Sequence, residues 1–248
     1  MIRSGKAFAT VARQRRRVHG EEHSSNDIYT GREEREEMVS HVLLLEFVSS
    51  SSDLSDPAML CAQLASIHLR SESPSGKSGF RTGNCQYGFP QRIKWDVSWA
   101  KVFTELISGF FNFDTKCSGP WPEYEEVFNR LIVHTVPRLL ERLQSNCLVL
   151  KPCLLHGNLS RENITSELAD GNPVSFSPSD LYAHHEYELG IWRQRRGAID
   201  WSFFKQYLDH FRPSDPVEEW DDQLRLYSLK FNLAYSIGWP ETALVRKQ

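Results

Sequence analysis

The sequence predicts an α+β protein that is mostly helical. Two observations carry this prediction: apolar residues recur at helical spacing over several long stretches, and the remaining apolar runs are short and bounded by turn-forming residues. The chain has 248 residues, of which 40% are hydrophobic, and a formal net charge of -3. It is therefore long enough to bury a core in one large domain or two small lobes.

Residues 1–38 are predicted to be irregular or disordered. The stretch 20–37 is polar and highly charged, so it cannot bury enough apolar surface to fold alone. The basic run 13–17 is interpreted as a solvated tail. Because the first twenty residues contain no acidic residue, their composition also permits a mitochondrial targeting segment, although a cytoplasmic location is the simpler prediction.

A strand and linker are predicted over 39–52, followed by the main domain over 53–240 and a short tail over 241–248. The strand is the branched apolar run from His41 to Val48, which precedes a serine cluster. Asp56 and Pro57 then predict the start of a helix that ends near Arg70. The turn-rich segment 73–90 is predicted to be loop.

Further helices are predicted from apolar spacing over 99–110, 124–132, 201–211 and 224–231. Pro137 interrupts the second of these patterns, so we expect a kink or a short break there. The aromatic residues in these stripes are interpreted as core. Leu154-Leu155 and the run from Pro173 to Phe176 are predicted to be strands of a hairpin that carries a polar loop.

Composition excludes several classes of function. The five cysteines include no CxxC pair, which argues against a disulfide framework or a structural zinc site and favours reduced thiols. No apolar run reaches the roughly 18 residues that a membrane span needs. The near-neutral charge gives no general footprint for nucleic acid. We therefore expect neither a membrane nor a nucleic acid as partner.

The octet from His156 to Asn163, HGNLSREN, matches the catalytic loop HGDLxxxN of kinase-like phosphotransferases at every fixed position except Asn158. With the segments 73–80, 182–190 and 226–233, it resembles the fructosamine or ketosamine-3-kinase family, especially the fungal protein-ribulosamine 3-kinases. The resemblance runs in order from about Leu43 to the C-terminal region.

The resemblance implies a protein-kinase-like fold with a mostly helical C-lobe, a short hinge strand and a catalytic-loop hairpin. It also implies that ATP and Mg²⁺ transfer a phosphoryl group to the sugar 3-hydroxyl of a ketoamine, which frees the glycated amine. The expected substrates are glycated protein lysines or small ketoamines. No phosphate-binding hairpin and strand lysine precede the hinge, so the N-lobe is expected to be incomplete.

The resemblance also assigns roles to individual positions. Asn158 stands at the position of the catalytic base, Asn163 is a catalytic and metal-binding position, and Ser177 stands where the family has a magnesium-binding aspartate. An amide cannot take up a proton, and a positioned base contributes typically about 10²–10⁴-fold in rate. Asp180, three positions after Ser177, could replace the missing metal ligand only if the loop rearranged.

Other assignments leave alternatives open. The main chain of Glu46, Phe47 and Val48 is expected to meet adenine at the hinge, unless this strand is an edge with nothing bound. His156, and His184 with His185, are interpreted as packing and hydrogen-bonding residues and not as metal ligands. Glu186 and Glu188 are expected to be solvated or to have a structural role in the family. For the whole chain, the alternatives to an impaired kinase are a pseudokinase that binds a ketoamine or a protein partner, and a truncated product that folds poorly.

Overall fold

The computed structural model describes residues 7–12, 41–51, 53–91, 93–193 and 199–238, with the side chains of 7–12 and 41–46 left out. The chain divides into two compact units, 1–49 and 50–248. In the first unit, β1 (Ala7–Ala12) and β2 (His41–Glu46) form an antiparallel pair in which Ala7 faces Glu46. The predicted strand at His41 is present. The prediction of irregular structure does not hold for the six residues of β1, and the rest of 1–38 lies outside the described residues.

The second unit is built mainly from helices. These are α1 (Pro57–Arg70), α2 (Trp99–Ser118), α3 (Pro122–Arg130), the short α4 (Glu186–Leu189), α5 (Trp201–His210) and α6 (Trp220–Gly238). Helix α1 packs against α5, and α2 packs against α6. The boundary predicted at residue 240 and the tail 241–248 lie outside the described residues.

Helix α1 begins where the sequence predicts. The Asp56 carboxylate accepts a hydrogen bond from the Met59 amide at 3.0 Å, which satisfies one of the free N–H groups of the first turn. Pro57 occupies the first turn, where its missing N–H costs nothing. Helix α2 begins in the same way, since the Ser98 hydroxyl accepts from the Lys101 amide at 3.3 Å.

The break predicted at Pro137 is also present. After α3 the chain continues as two π-helical turns, Leu131–Thr135 and Pro137–Glu141, and then one 3₁₀ turn, Arg142–Gln144. Proline has no N–H to continue an α-helical ladder, so the hydrogen-bonding pattern changes around it.

An aromatic cluster forms the centre of the second unit, as the apolar stripes predict. The rings of Trp99, Phe103, Tyr187 and Tyr227 are fully buried and meet at centroid separations of 5.4–6.3 Å. These separations are typical of aromatic pairs in protein cores. The four rings come from α2, α4 and α6, so the cluster packs these three helices together.

The strands of the second unit are short and antiparallel. Strand β5 (Cys153–Leu155) pairs with β8 (Leu181–Ala183), and β6 (Ile164–Ser166) pairs with β7 (Pro173–Ser175) between them. The two predicted strands, β5 and β7, exist but do not pair with each other. Each pairs with a strand that was not predicted, so the predicted hairpin is wrong and the pair β6–β7 lies in sequence between β5 and β8. A further hairpin, β3 (Asn84–Gln86) with β4 (Phe89–Gln91), lies in the segment that was predicted to be loop.

No helix of the described residues combines the length and the hydropathy that a membrane span requires. All five cysteines are free thiols. This agrees with the expectation of reduced thiols.

Candidate active site

The loop that follows β5 is shaped by Gly157. Its φ is +70°, a left-handed conformation that side chains with a Cβ rarely adopt. A Cβ at this position would lie 2.2 Å from the Ser179 carbonyl oxygen. The Ser179 amide in turn donates to the His156 carbonyl at 2.7 Å. The segment around Ser179 therefore passes so close to the loop that only glycine fits at 157.

Glu188 anchors this loop by hydrogen bonds to its backbone. Its carboxylate accepts from the His156 amide at 2.6 Å and from the Gly157 amide at 3.0 Å. Burial raises the pKa of Glu188 to about 7, and the backbone amides that it accepts from oppose this shift. Glu186 and Glu188 are both fully buried, so the expectation that they are solvated is wrong and the structural alternative applies.

The side chain of Asn158 is bonded at both ends. It is 6% exposed; its Oδ1 accepts from Gln86 Nε2 at 3.2 Å, and its Nδ2 donates to the Ser177 carbonyl at 3.0 Å. The amide thus connects the β3–β4 hairpin to the segment after β7. The base position of the resemblance is occupied by a group that links the Gln86 side chain to the backbone of Ser177.

Asn163 and Ser177 lie at the same site. Asn163 Nδ2 donates to the Asn158 carbonyl at 2.8 Å, and the Asn163 carbonyl accepts from the Phe176 amide at 3.0 Å. Ser177 follows directly, is exposed, and has a left-handed φ of +53°. The structure therefore brings together the three positions that the resemblance selects, and their roles remain predictions.

Two neutral side chains are a poor set of ligands for Mg²⁺. The ion is normally bound by one or two carboxylates together with substrate phosphates. Asn163 and Ser177 offer an amide oxygen and a hydroxyl, and neither carries a charge. The residues at these positions do not fit a tightly held magnesium ion, and we derive no chemical step from one.

The hinge residues belong to the first unit. Glu46 ends β2, the Phe47 side chain is 63% exposed and Val48 is half-buried. The catalytic loop belongs to the second unit. Adenine contact through residues 46–48 therefore stays a prediction.

The histidines near α4 form a hydrogen-bonded group. His184 Nδ1 lies 2.8 Å from the Tyr227 hydroxyl, His185 Nδ1 lies 3.0 Å from that of Tyr207, and both Nε2 atoms lie within 3.2 Å of Ser214 Oγ. Burial lowers the pKa of His184 to about 3 and that of His185 well below its ordinary value. With Glu186 they could form a three-ligand group, but every ring nitrogen already has a protein partner. The geometry favours the hydrogen-bonding interpretation.

Sequence reasoning missed two residues of the site, Gln86 and Lys230. Lys230 Nζ donates to Gln86 Oε1, and Gln86 donates to Asn158. One signal was present in the sequence. Lys230 follows Leu226 and Tyr227 by four and three positions, so it lies on their buried face of α6, where a lysine is unusual.

The loop that turns at Gly157 between β5 and β6 and is anchored on the buried Glu188 is the one that the octet assigns to a kinase-like phosphotransferase. The model of the fructosamine kinase family matches residues 25–239. The chain therefore belongs to the fructosamine kinase family.

Relatives and solved structures agree with this assignment. A chloroplastic protein-ribulosamine 3-kinase of Oryza sativa subsp. indica is 30% identical over 187 residues, which are 75% of this chain and 51% of that protein. A ketosamine-3-kinase of Mus musculus is 26% identical over 76% of this chain and 64% of its own length. The chain thus spans about half to two thirds of these relatives.

The fold is also found in a crystal structure assigned as a fructosamine-3-kinase of Haemophilus somnus 129PT. The TM-score is 0.64 at 20% identity, and the match covers 82% of this chain and 63% of that one. This match confirms the protein-kinase-like fold. A protein of Thermobifida fusca YX-ER1 with the same assignment gives the same TM-score at 16% identity.

Proposed function

We propose that this chain carries a ketosamine-3-kinase site at which phosphoryl transfer is strongly slowed. ATP would be the phosphoryl donor, and the acceptor would be the sugar hydroxyl of a ketoamine, either on a protein lysine or as a small molecule. The relatives named as ribulosamine and ketosamine kinases support this class of substrate. A cytoplasmic location is part of the same proposal and is supported by the free thiols.

The amide at position 158 is the observation on which the proposal rests. The loop keeps its glycine turn, its anchor on Glu188 and its contact with Asn163. A hydroxyl can be held there by hydrogen bonding, but the amide cannot remove its proton. We expect transfer to be slower than in a family member with aspartate at this position by about 10²–10⁴-fold.

The direct test is transfer of radiolabelled phosphate from ATP to fructosyl-lysine or ribulosyl-lysine. A family enzyme that has both aspartates is the positive control, and the protein without ketoamine is the blank. Slow transfer that depends on the ketoamine is the expected result. Transfer at the rate of the control enzyme would contradict the proposal, because it would require a base that position 158 does not supply.

A second candidate is a pseudokinase that binds a ketoamine or a protein partner without catalysis. The observation that favours it is the hydrogen bonding of Asn158 at both ends, to Gln86 and to Ser177. Titration with fructosyl-lysine separates the two candidates. Binding without any transfer in the long radiolabel assay supports the pseudokinase, whereas binding with slow transfer supports the impaired kinase.

Nucleotide binding is tested separately by thermal shift with Mg-ATP. Because Asn163 and Ser177 bring no charge to the metal, we expect Mg-ATP to bind weakly. A ligand present at 100 times its Kd would stabilise the protein by about 2.7 kcal/mol. A large rise in Tm with millimolar Mg-ATP would show that Mg-ATP binds tightly although Asn163 and Ser177 are uncharged.

A further inference from the structure

Lys230 is a lysine in the core of the second unit. Its side chain is fully buried on α6, and its Nζ lies 4.7 Å from the ring centres of Phe110 and Phe231 and 5.6 Å from that of Tyr187. Burial lowers its pKa well below the ordinary value. The charge of Glu188 opposes this shift.

The packing around Lys230 does not by itself require an amine. Methionine has a similar length and packs well against aromatic rings, and it needs no hydrogen-bond partner. A buried amine loses its hydration, and this cost is reduced only by the hydrogen bonds and ring faces that the protein offers in return. What Lys230 adds beyond a methionine is the hydrogen bond to Gln86 Oε1.

This hydrogen bond is one end of a series of polar contacts. Lys230 Nζ donates to Gln86 Oε1, so the nitrogen of the Gln86 amide faces Asn158. At the other end the Ser177 carbonyl only accepts, so it receives Asn158 Nδ2 at 3.0 Å and leaves Oδ1 to accept from Gln86. Each amide in the series has one orientation that satisfies both of its neighbours.

We propose that Lys230 is a positioning residue of the phosphotransferase site, which acts through Gln86 to hold the Asn158 amide in place. An amide has two acceptor lone pairs and two N–H donors. The contacts to Gln86 and Ser177 use one of each, so one lone pair and one N–H remain for a sugar hydroxyl. Lys230 thereby holds Gln86 on one lone pair of Asn158 Oδ1 and leaves the other open to the hydroxyl.

This inference rests on the proposed function only where it concerns the ketoamine. The orientation of Asn158 can be measured without any ligand. We therefore expect two readouts to change together in Lys230→Met: the side-chain amide of Asn158, and the affinity for fructosyl-lysine.

The first readout is the ¹H–¹⁵N spectrum of the side-chain amides. The signals of Asn158 are assigned as those that disappear in Asn158→Ala. In Lys230→Met we expect its two N–H signals to shift and its hydrogen exchange to accelerate at least about tenfold, because Gln86 is free to turn. The matched control is Lys205→Met, which changes an exposed lysine on α5 and should leave these signals in place. Gln86→Met breaks the middle contact and should reproduce the effect, which keeps the test available should Lys230→Met fail to fold.

The second readout is the Kd for fructosyl-lysine by calorimetry, with an expected increase of about tenfold in Lys230→Met and none in Lys205→Met. Unchanged Asn158 signals in folded Lys230→Met and Gln86→Met would overturn the inference. If the wild-type protein binds no ketoamine, the proposed function fails, and the spectra still decide the role of Lys230.

Discussion

Asn158 donates a side-chain N–H to the carbonyl oxygen of Ser177 at 3.0 Å, so the two positions for which the resemblance implies carboxylates contact each other in this chain. A carboxylate at 158 would place an oxygen where the amide now places a donor. The contacts around position 158 therefore suit an amide and not an acid. Introducing an acid there changes the hydrogen bonding of the loop as well as its chemistry.

Asn158→Asp is expected to lower the free energy of unfolding by about 1–3 kcal/mol at pH 7.5. One carboxylate oxygen can still accept from Gln86, but the other would face the Ser177 carbonyl, and this partly buried acceptor would lose its donor. Urea unfolding measures the change. The control is Asn129→Asp, the same substitution at an exposed position of α3, which should change stability by less than about 0.5 kcal/mol. Equal stabilities for the two variants would show that Ser177 can move away without cost.

Gly157→Ala is expected to abolish the native loop, with a loss of more than about 3 kcal/mol or a failure to fold. The added Cβ would lie 2.2 Å from the Ser179 carbonyl oxygen, and backbone cannot yield as a flexible side chain does. Gly76→Ala is a matched control, because its φ of +68° is almost the same while no atom lies within 4 Å of the added Cβ. We expect it to cost about 1 kcal/mol from backbone strain alone. Circular dichroism and urea unfolding of both variants separate the steric clash from the backbone strain. Similar losses of stability in the two variants would contradict the prediction that the Ser179 carbonyl excludes a Cβ at position 157.

The helices could be predicted because their signals are local. The cap at Asp56, the interruption at Pro137 and the spacing of Trp99 and Phe103 are all visible within a few residues of sequence, and the structure contains each of them. The β3–β4 hairpin was missed because its two three-residue strands lie in a turn-rich segment. Such short strands are set by tertiary contacts and not by their own alternation.

The candidate site was predictable only in part. The octet from His156 to Asn163 identified the loop, and Ser177 was placed through the resemblance. The contacts of Asn158 could not be inferred, because Gln86 is 72 residues away and Lys230 reaches the site through Gln86. The spacing of Glu186 and Glu188 suggests different faces of a helix, so the sequence left a solvated and a structural role open, whereas α4 is a single buried turn of four residues.

The contribution of Glu186 to the free energy of unfolding is expected to fall as pH rises from about 4.5 to 8. Burial raises the pKa of this carboxyl from 4.5 to about 8. Because the folded protein holds the proton more tightly than the unfolded chain, the contribution is fully present below pH 4.5 and is lost as pH approaches 8. Each pKa unit corresponds to about 1.4 kcal/mol.

Glu186→Gln should remove this slope. The amide can still accept from the Ser214 N–H, which lies 2.6 Å from Oε1 in the wild type, and it carries no charge at any pH. The measurement is urea unfolding of wild type and variant at pH 5, 6.5 and 8, with Glu218→Gln as an exposed control. Buried groups that lie away from Glu186 titrate alike in both proteins, so their effects cancel in the difference. Parallel pH profiles for wild type and Glu186→Gln would contradict the prediction.

The double variant Asn158→Asp, Ser177→Asp is expected to remain nearly inactive on fructosyl-lysine and ribulosyl-lysine. A base and a metal ligand act only on a hydroxyl and a phosphate that are already held in position, and positioning supplies a large part of the barrier reduction in phosphoryl transfer. In this chain the acid at 158 would also face the Ser177 carbonyl, which now accepts from the amide. The φ of +53° at Ser177 is a further obstacle, although aspartate tolerates this conformation better than most residues. Radiolabelled transfer by wild type and double variant is the measurement, with a family enzyme that has both aspartates as the positive control. Robust transfer by the double variant would show that the two carboxylates are the whole defect and that the loop adapts to them.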